Sequence, residues 1–165
     1  MVSAGEQKVI EILSQLQLSY QHQYRILEVK KRTYDFMFAW NQQNYIIEVD
    51  GAQHFKDIEH FKSTAKEQHI NDIMKQILAL HYGFKVIRIH YKDIDNFYHH
   101  LVMALSHLEL HKVYYSSPEH YTWMSEVYAT VILTKKGTMR QQYIKRYIKK
   151  RYVYDLDRNI ILSYH

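Results

Sequence analysis

The 165-residue chain has no cysteine. That excludes disulfide staples, thiolate zinc sites and thiol redox chemistry, and it suits a reducing compartment. Glycine occurs four times and proline once, too rarely for a disordered or low-complexity chain. No apolar run approaches the length of a bilayer span, and no signal-peptide pattern opens the sequence. An intracellular, soluble protein is therefore expected. What the chain holds instead is apolar and aromatic: 47% of its residues are hydrophobic and 16 are tyrosine. At this length one domain with its own core is expected, with room for a small appendage.

Charge is distributed unevenly. Between Lys135 and Arg158 nine basic residues face only Asp155 and Asp157, so this segment carries +7 in a chain of +5. A mildly acidic body with a basic, tyrosine-laced tail points to a polyanionic partner. A solvated helix face explains the same charge run about as well.

Periodicity gives the order of elements. Ser3 to Leu16 reads as a helix, with Ser3 and Glu6 in capping-box spacing. Tyr20–Val29, Thr33–Trp40 and Tyr45–Val49 read as strands, the last two joined by a turn at Asn41–Asn44. His54 to Thr64 reads as irregular. A long helix over Ala65–Tyr82 buries Ile70, Ile73, Ile77 and Leu80 or His81, and Gly83 stops it. Lys85–His90 alternates cleanly as a strand, and Asp93–Leu108 is a further helix. The order α-β-β-β-α-β-α predicts an α/β fold, a mixed sheet with helices on both faces. The division expected is a core over residues 1–110 and a basic, aromatic extension over 111–165, packed on or beside that core. In that extension Ser117-Pro118-Glu119 reads as a helix start, Tyr128–Thr134 as a strand and Thr138–Arg151 as a basic helix.

The chemistry concentrates in Tyr45–Phe55. Side chains two apart in a strand share a face, so Glu48 and Asp50 point one way while Ile47 and Val49 anchor the other. A hairpin turning near residues 41–44 brings Asp35 towards the 48–50 region. Three converging carboxylates repel one another, and a divalent cation with oxygen ligands relieves that. Each acid taken singly has an ordinary role: Asp35 paired with Lys30, Lys31 or Arg32, and Glu48 with Asp50 capping a turn. Three together, followed by Gln53 and His54, favour a site. Gly51 would let the chain turn so that Gln53 and His54 come back beside the acids. His54 suits general acid–base work or a phosphate contact, although one histidine among 12 is more often structural. Asp72 and Lys75, one helical turn apart, form an ordinary intrahelical ion pair on the plainest reading.

Taken in order, these segments resemble the PD-(D/E)XK nuclease superfamily, and within it the branch related to the very short patch repair endonuclease. The residues that carry the resemblance are Gly5-Glu6, Tyr20 with Gln23, Asp35-Phe36, Ile47-Glu48-Val49-Asp50-Gly51-Ala52-Gln53-His54, Asp72 with Lys75, and Lys85 to Tyr91. They span about residues 3 to 95. The resemblance implies a restriction-endonuclease-like α-β-β-β-α-β core with a basic C-terminal extension. It implies metal-dependent hydrolysis of phosphodiester bonds in DNA, an endonuclease activity. Asp35 and Glu48 would hold the metal, with the Val49 carbonyl as a further ligand and Glu6 joining through water; the convergence of acids adds Asp50 to the metal site. Mg²⁺ is the implied ion, with Mn²⁺ as its substitute. The family name calls for a lysine two residues after Glu48, and Asp50 stands there. Gln53, His54 or Lys75 would then supply the missing function, and Asp72 counts among the candidate catalytic residues. If none does, the fold would serve as a nucleic-acid-binding or assembly module without catalysis; an RNA-directed nuclease is a third reading. Lys145, Arg146, Lys149, Lys150 and Arg151 would hold the DNA backbone. Tyr143, Tyr147, Tyr152 and Tyr154 would stack on unpaired bases or simply pack. Double-strand cutting by one small site commonly needs two copies, which leaves room for a homodimer.

Overall fold

The computed structural model describes residues 1–26, 32–58, 65–107, 113–122, 124, 151–155 and 160–164. Helix α1 (Ala4–Gln15) starts as its sequence demands. The Ser3 hydroxyl accepts from the Glu6 amide at 3.1 Å, and Glu6 Oε2 accepts from the Ser3 amide at 2.8 Å. This reciprocal pair satisfies two backbone donors that a helix start leaves open.

Strands β1 (Tyr20–Tyr24), β2 (Tyr34–Trp40) and β3 (Gln43–Asp50) form an antiparallel meander. The first strand ends at Tyr24, not Val29; residues 27–31 lie outside the described ones. The hairpin turn is tighter than expected. Asn41 and Gln42, with φ of 50° and 62°, make a two-residue loop, and Gln43 already pairs with Trp40. Two left-handed residues give a turn whose twist matches that of the strands.

Helix α2 (Ala65–His81) then carries the chain across to β4 (Lys85–His90), which lies parallel to β3. Gly83, at φ 87°, ends the helix as expected, in a conformation that other residues adopt at a cost. A turn of 3₁₀ helix at Tyr91–Asn96 precedes α3 (Phe97–His107), in place of one continuous helix from Asp93. A short strand β5 (Val113–Tyr115), not anticipated, adds parallel to β4. The result is an α/β fold with a five-stranded mixed sheet in the order β1-β2-β3-β4-β5.

Each face of the sheet has its own core. Ile46, Ile73, Leu78, Leu80 and Val86 pack on the α2 side; Val9, Leu13, Ile47, Ile87, Ile89 and Leu101 pack under α1 and α3. A Cβ on Gly5 would meet Val49 Cγ1 at 3.0 Å, so the glycine lets α1 press onto β3. Of the stripe expected on α2, Ile73 and Leu80 are buried; the side chains of Ile70, Ile77 and His81 lie outside the described residues. The clean alternation expected of Lys85–His90 is absent. Residues 86–90 are all buried, because β4 is central and covered on both faces.

The sheet and core run past residue 110. Pro118–His120 is only a turn of 3₁₀ helix, and Tyr121 and Met124 beyond it enter the α2-side core. Separately, β6 (Arg151–Asp155) and β7 (Ile160–Tyr164) pair antiparallel. Arg151 therefore opens a strand and does not end a helix. The strand expected at 128–134 and the helix expected at 138–150, with Lys145, Arg146, Lys149 and Lys150, lie outside the described residues. Among the described residues no helix is long and apolar enough to cross a membrane.

Candidate functional site

The carboxyl end of β3 builds the site. The hairpin ladder pairs Phe36 with Ile47, and continued by one residue it sets Asp35 beside Glu48. Asp35 Oδ2 accepts the Val49 amide at 2.7 Å. Burial and the neighbouring Glu48 charge push the Asp35 carboxyl well above the usual carboxylate range, despite Lys75 and the Val49 N–H.

Glu48 is 5% exposed. Its Oε1 lies 2.6 Å from Lys75 Nζ on α2, yet the atom is buried with no hydrogen-bond partner of good geometry. Burial opposes the lysine's charge, but Glu48, Asp35 and Asp72 outweigh it, and Lys75 stays protonated above its ordinary value. The Tyr34 hydroxyl donates to the Lys75 carbonyl at 2.7 Å, and the ammonium sits 5.1 Å from the centre of the Tyr34 ring. Lys75 is thus tied to the sheet. Asp72 finds its own partners elsewhere, so the two do not form a closed intrahelical pair.

Asp50 faces a different neighbour. Arg88, on the adjacent strand and 1% exposed, grips it with two bonds: Nε to Oδ2 at 2.9 Å and Nη2 to Oδ1 at 2.7 Å. The Tyr121 hydroxyl donates to Oδ2 at 2.8 Å. Arg88 Nη2 also lies 3.5 Å from Asp72 Oδ1, and Nη1 reaches Gln76 Oε1 at 3.4 Å. His54 Nδ1 sits 2.5 Å from Asp72 Oδ2 and 3.8 Å from Asp50 Oδ1. Burial disfavours its charge, but the bond to Asp72 and both acids outweigh that and raise the imidazole above its ordinary value. His69 Nε2 donates to the His54 carbonyl from α2.

The turn into this loop does not need a left-handed residue. Gly51 has φ −72° and ψ 174°, extended backbone open to any residue. Its value is space: a Cβ there would meet Gln53 Oε1 at 2.5 Å, so the Gln53 side chain lies over the glycine.

The expected residues therefore divide into two linked groups. Asp35, Glu48 and Lys75 form one; Asp50, His54 and Asp72 form the other, closed by Arg88. Glu6 joins neither. Its Oε1 meets His22 Nε2 at 3.2 Å and Gln23 Nε2 at 3.1 Å, and its Oε2 is held by Ser3. Sequence reasoning missed Arg88, Gln76, Tyr115 and Tyr121. An arginine and a histidine inside a strand flanked by others signal buried counter-ions; Tyr121 carried no such signal.

The acid groups differ in how far their charge is met. The ligand atoms of Asp50, His54 and Asp72 lie within 4.8 Å of one another and could hold a metal ion, with Arg88 as the competing cation. Asp35 and Glu48 share the one ammonium of Lys75, whose Nζ lies 2.6 Å from Glu48 Oε1. Two carboxylates that share a single cation leave a place for a hard divalent ion. Comparison of the chain with protein-family models, curated proteins and solved structures gave no match.

Proposed function

We propose that the protein is a metal-dependent endonuclease that hydrolyses phosphodiester bonds in DNA on a restriction-endonuclease-like core. The observation that carries this reading is the contact of Lys75 Nζ with Glu48 Oε1 at 2.6 Å. Asp50 occupies the place where the resemblance calls for a lysine, and Arg88 neutralises it. Helix α2 brings an ammonium to the same glutamate from another direction. Asp35 and Glu48 would hold Mg²⁺, with Mn²⁺ as a substitute. Bound there, the ion would acidify a water and offset charge on a phosphate. Lys75 remains a cation and would stabilise charge developing on a phosphoryl oxygen. His54, oriented by Asp72, would pass a proton to the leaving oxygen. Lys145, Arg146, Lys149, Lys150 and Arg151 would hold the DNA backbone, and two copies would serve a double-strand cut.

One observation favours a second reading. The tight Asp50–Arg88 pair sits at the lysine position, as it would in a binding module that has lost catalysis. Cleavage of linear, nicked and branched DNA and of RNA, with Mg²⁺ or Mn²⁺, by wild type and Glu48→Ala separates the readings. Wild type is expected to cut DNA, and Glu48→Ala to lose metal-dependent cleavage while keeping its circular dichroism spectrum. Equal cleavage by both would sink the assigned site. Binding without cleavage by wild type would favour the module, and preferential cutting of RNA would change the substrate class.

A further inference from the structure

We infer that Tyr121 is a positioning residue of this site, holding His54 through Asp50 by means of its hydroxyl. The residue lies outside the segment that carries the nuclease resemblance, and it is 3% exposed. Its ring and its hydroxyl do separate work. The ring meets Phe55, the neighbour of His54, edge-on with centroids 5.3 Å apart, and packs on Tyr115 at 4.9 Å. The hydroxyl donates to Asp50 Oδ2.

That bond adds a third anchor to the two from Arg88 that set how Asp50 is turned. Oδ2 receives Arg88 Nε and the Tyr121 hydroxyl, which leaves Oδ1 facing Arg88 Nη2 and, at 3.8 Å, His54 Nδ1. The same Arg88 nitrogen approaches Asp72, the hydrogen-bond partner of His54. A second path closes behind it. Gln76, 3.4 Å from Arg88, donates to the Tyr115 hydroxyl at 2.8 Å, and the Tyr115 ring packs at a tilt on Tyr121. Asp50, Arg88, Gln76, Tyr115 and Tyr121 thus form a closed ring of contacts. Without the Tyr121 hydroxyl, Asp50 is held by Arg88 alone, so the carboxylate and the guanidinium can shift together and relax the two acids beside His54.

The test uses Tyr121→Phe, which keeps the ring and removes only the hydroxyl. Its activity readout rests on the nuclease reading; its stability readout does not. In metal-supported DNA cleavage, kcat is expected to fall about tenfold with KM within about twofold, as for a displaced reacting group. The second measurement is a double-mutant cycle of Tyr121→Phe with His54→Asn by urea unfolding. Tyr121 and His54 do not need to touch for the cycle to couple. The unfolding constant of the double variant is expected to fall short of the product of the single effects by about threefold or more. Tyr114→Phe, whose hydroxyl meets His100 at 2.8 Å on the other side of the sheet, is the control and should be additive with His54→Asn. An additive Tyr121–His54 cycle, or an unchanged kcat in an active nuclease, would overturn the inference. A wild type that cleaves nothing would sink only the nuclease reading, and the cycle would still decide Tyr121.

Discussion

Arg88 is the residue on which most of the buried charge depends. It meets Asp50 with two bonds and approaches Asp72, in a place where it is 1% exposed. Such a pair adds little over a well-packed apolar pair, because both ions lose their water. Removing one partner is another matter, since the remaining carboxylates are left buried without a counter-ion. Arg88→Met, which keeps most of the volume, should cost about 3–5 kcal/mol. Urea unfolding would show this as a lower midpoint at unchanged slope. A cost under about 1 kcal/mol would mean that water or another cation already serves Asp50.

At the scale of the element, the start of α1 couples the fold to pH. Burial raises the pKa of Glu6, but the Ser3 backbone, the His22 contact and the Ser3 hydroxyl outweigh it and hold the carboxyl below its ordinary value. A carboxyl lowered on folding stabilises above its unfolded value, about 4.3, and that stability disappears as pH falls through the folded value. Glu6→Gln should therefore melt below wild type at pH 7 and lose less than wild type between about pH 5 and 3. Parallel melting curves across that range would remove Glu6 from the acid response. This capping box was legible in the sequence, as were the hairpin, the helix stop at Gly83 and the order of elements around it. All are local signals, carried by residues within a few positions of one another. What escaped was set by distant neighbours. Val113–Tyr115 is three residues long and has no alternation to read. The alternation of Lys85–His90 suggests one polar face for Arg88 and His90; α2 covers that face, and β5 pairs along the strand's edge. Lys75 reads as the partner of Asp72 at helical spacing, yet the closest acid comes from β3. The crowding of acids at the end of β3 followed from alternation alone, but which cation each would meet did not.

For the whole molecule, residue 110 is not a boundary of the packed structure. β5 pairs with β4, and Tyr121 and Met124 fill the α2-side core. A chain ending at residue 110 should lose cooperative thermal unfolding, while one ending at residue 126 should keep it; circular dichroism melts of the two distinguish them. Identical melts would make β5 and Tyr121 dispensable to the core. The parallel pairing of β3 and β4 has a further consequence, in time. From Tyr45 with Lys85 to Asp50 with His90, every pair joins residues 40 positions apart. Hairpin contacts form over short loops, but this pairing must close a long crossover before any of it is rewarded. Until then Glu48, Asp50 and Arg88 remain in water as separate ions. Their dehydration is therefore expected to come late, after the rate-limiting barrier. The loss in Arg88→Met should accordingly appear as faster unfolding, with the rate of folding nearly unchanged.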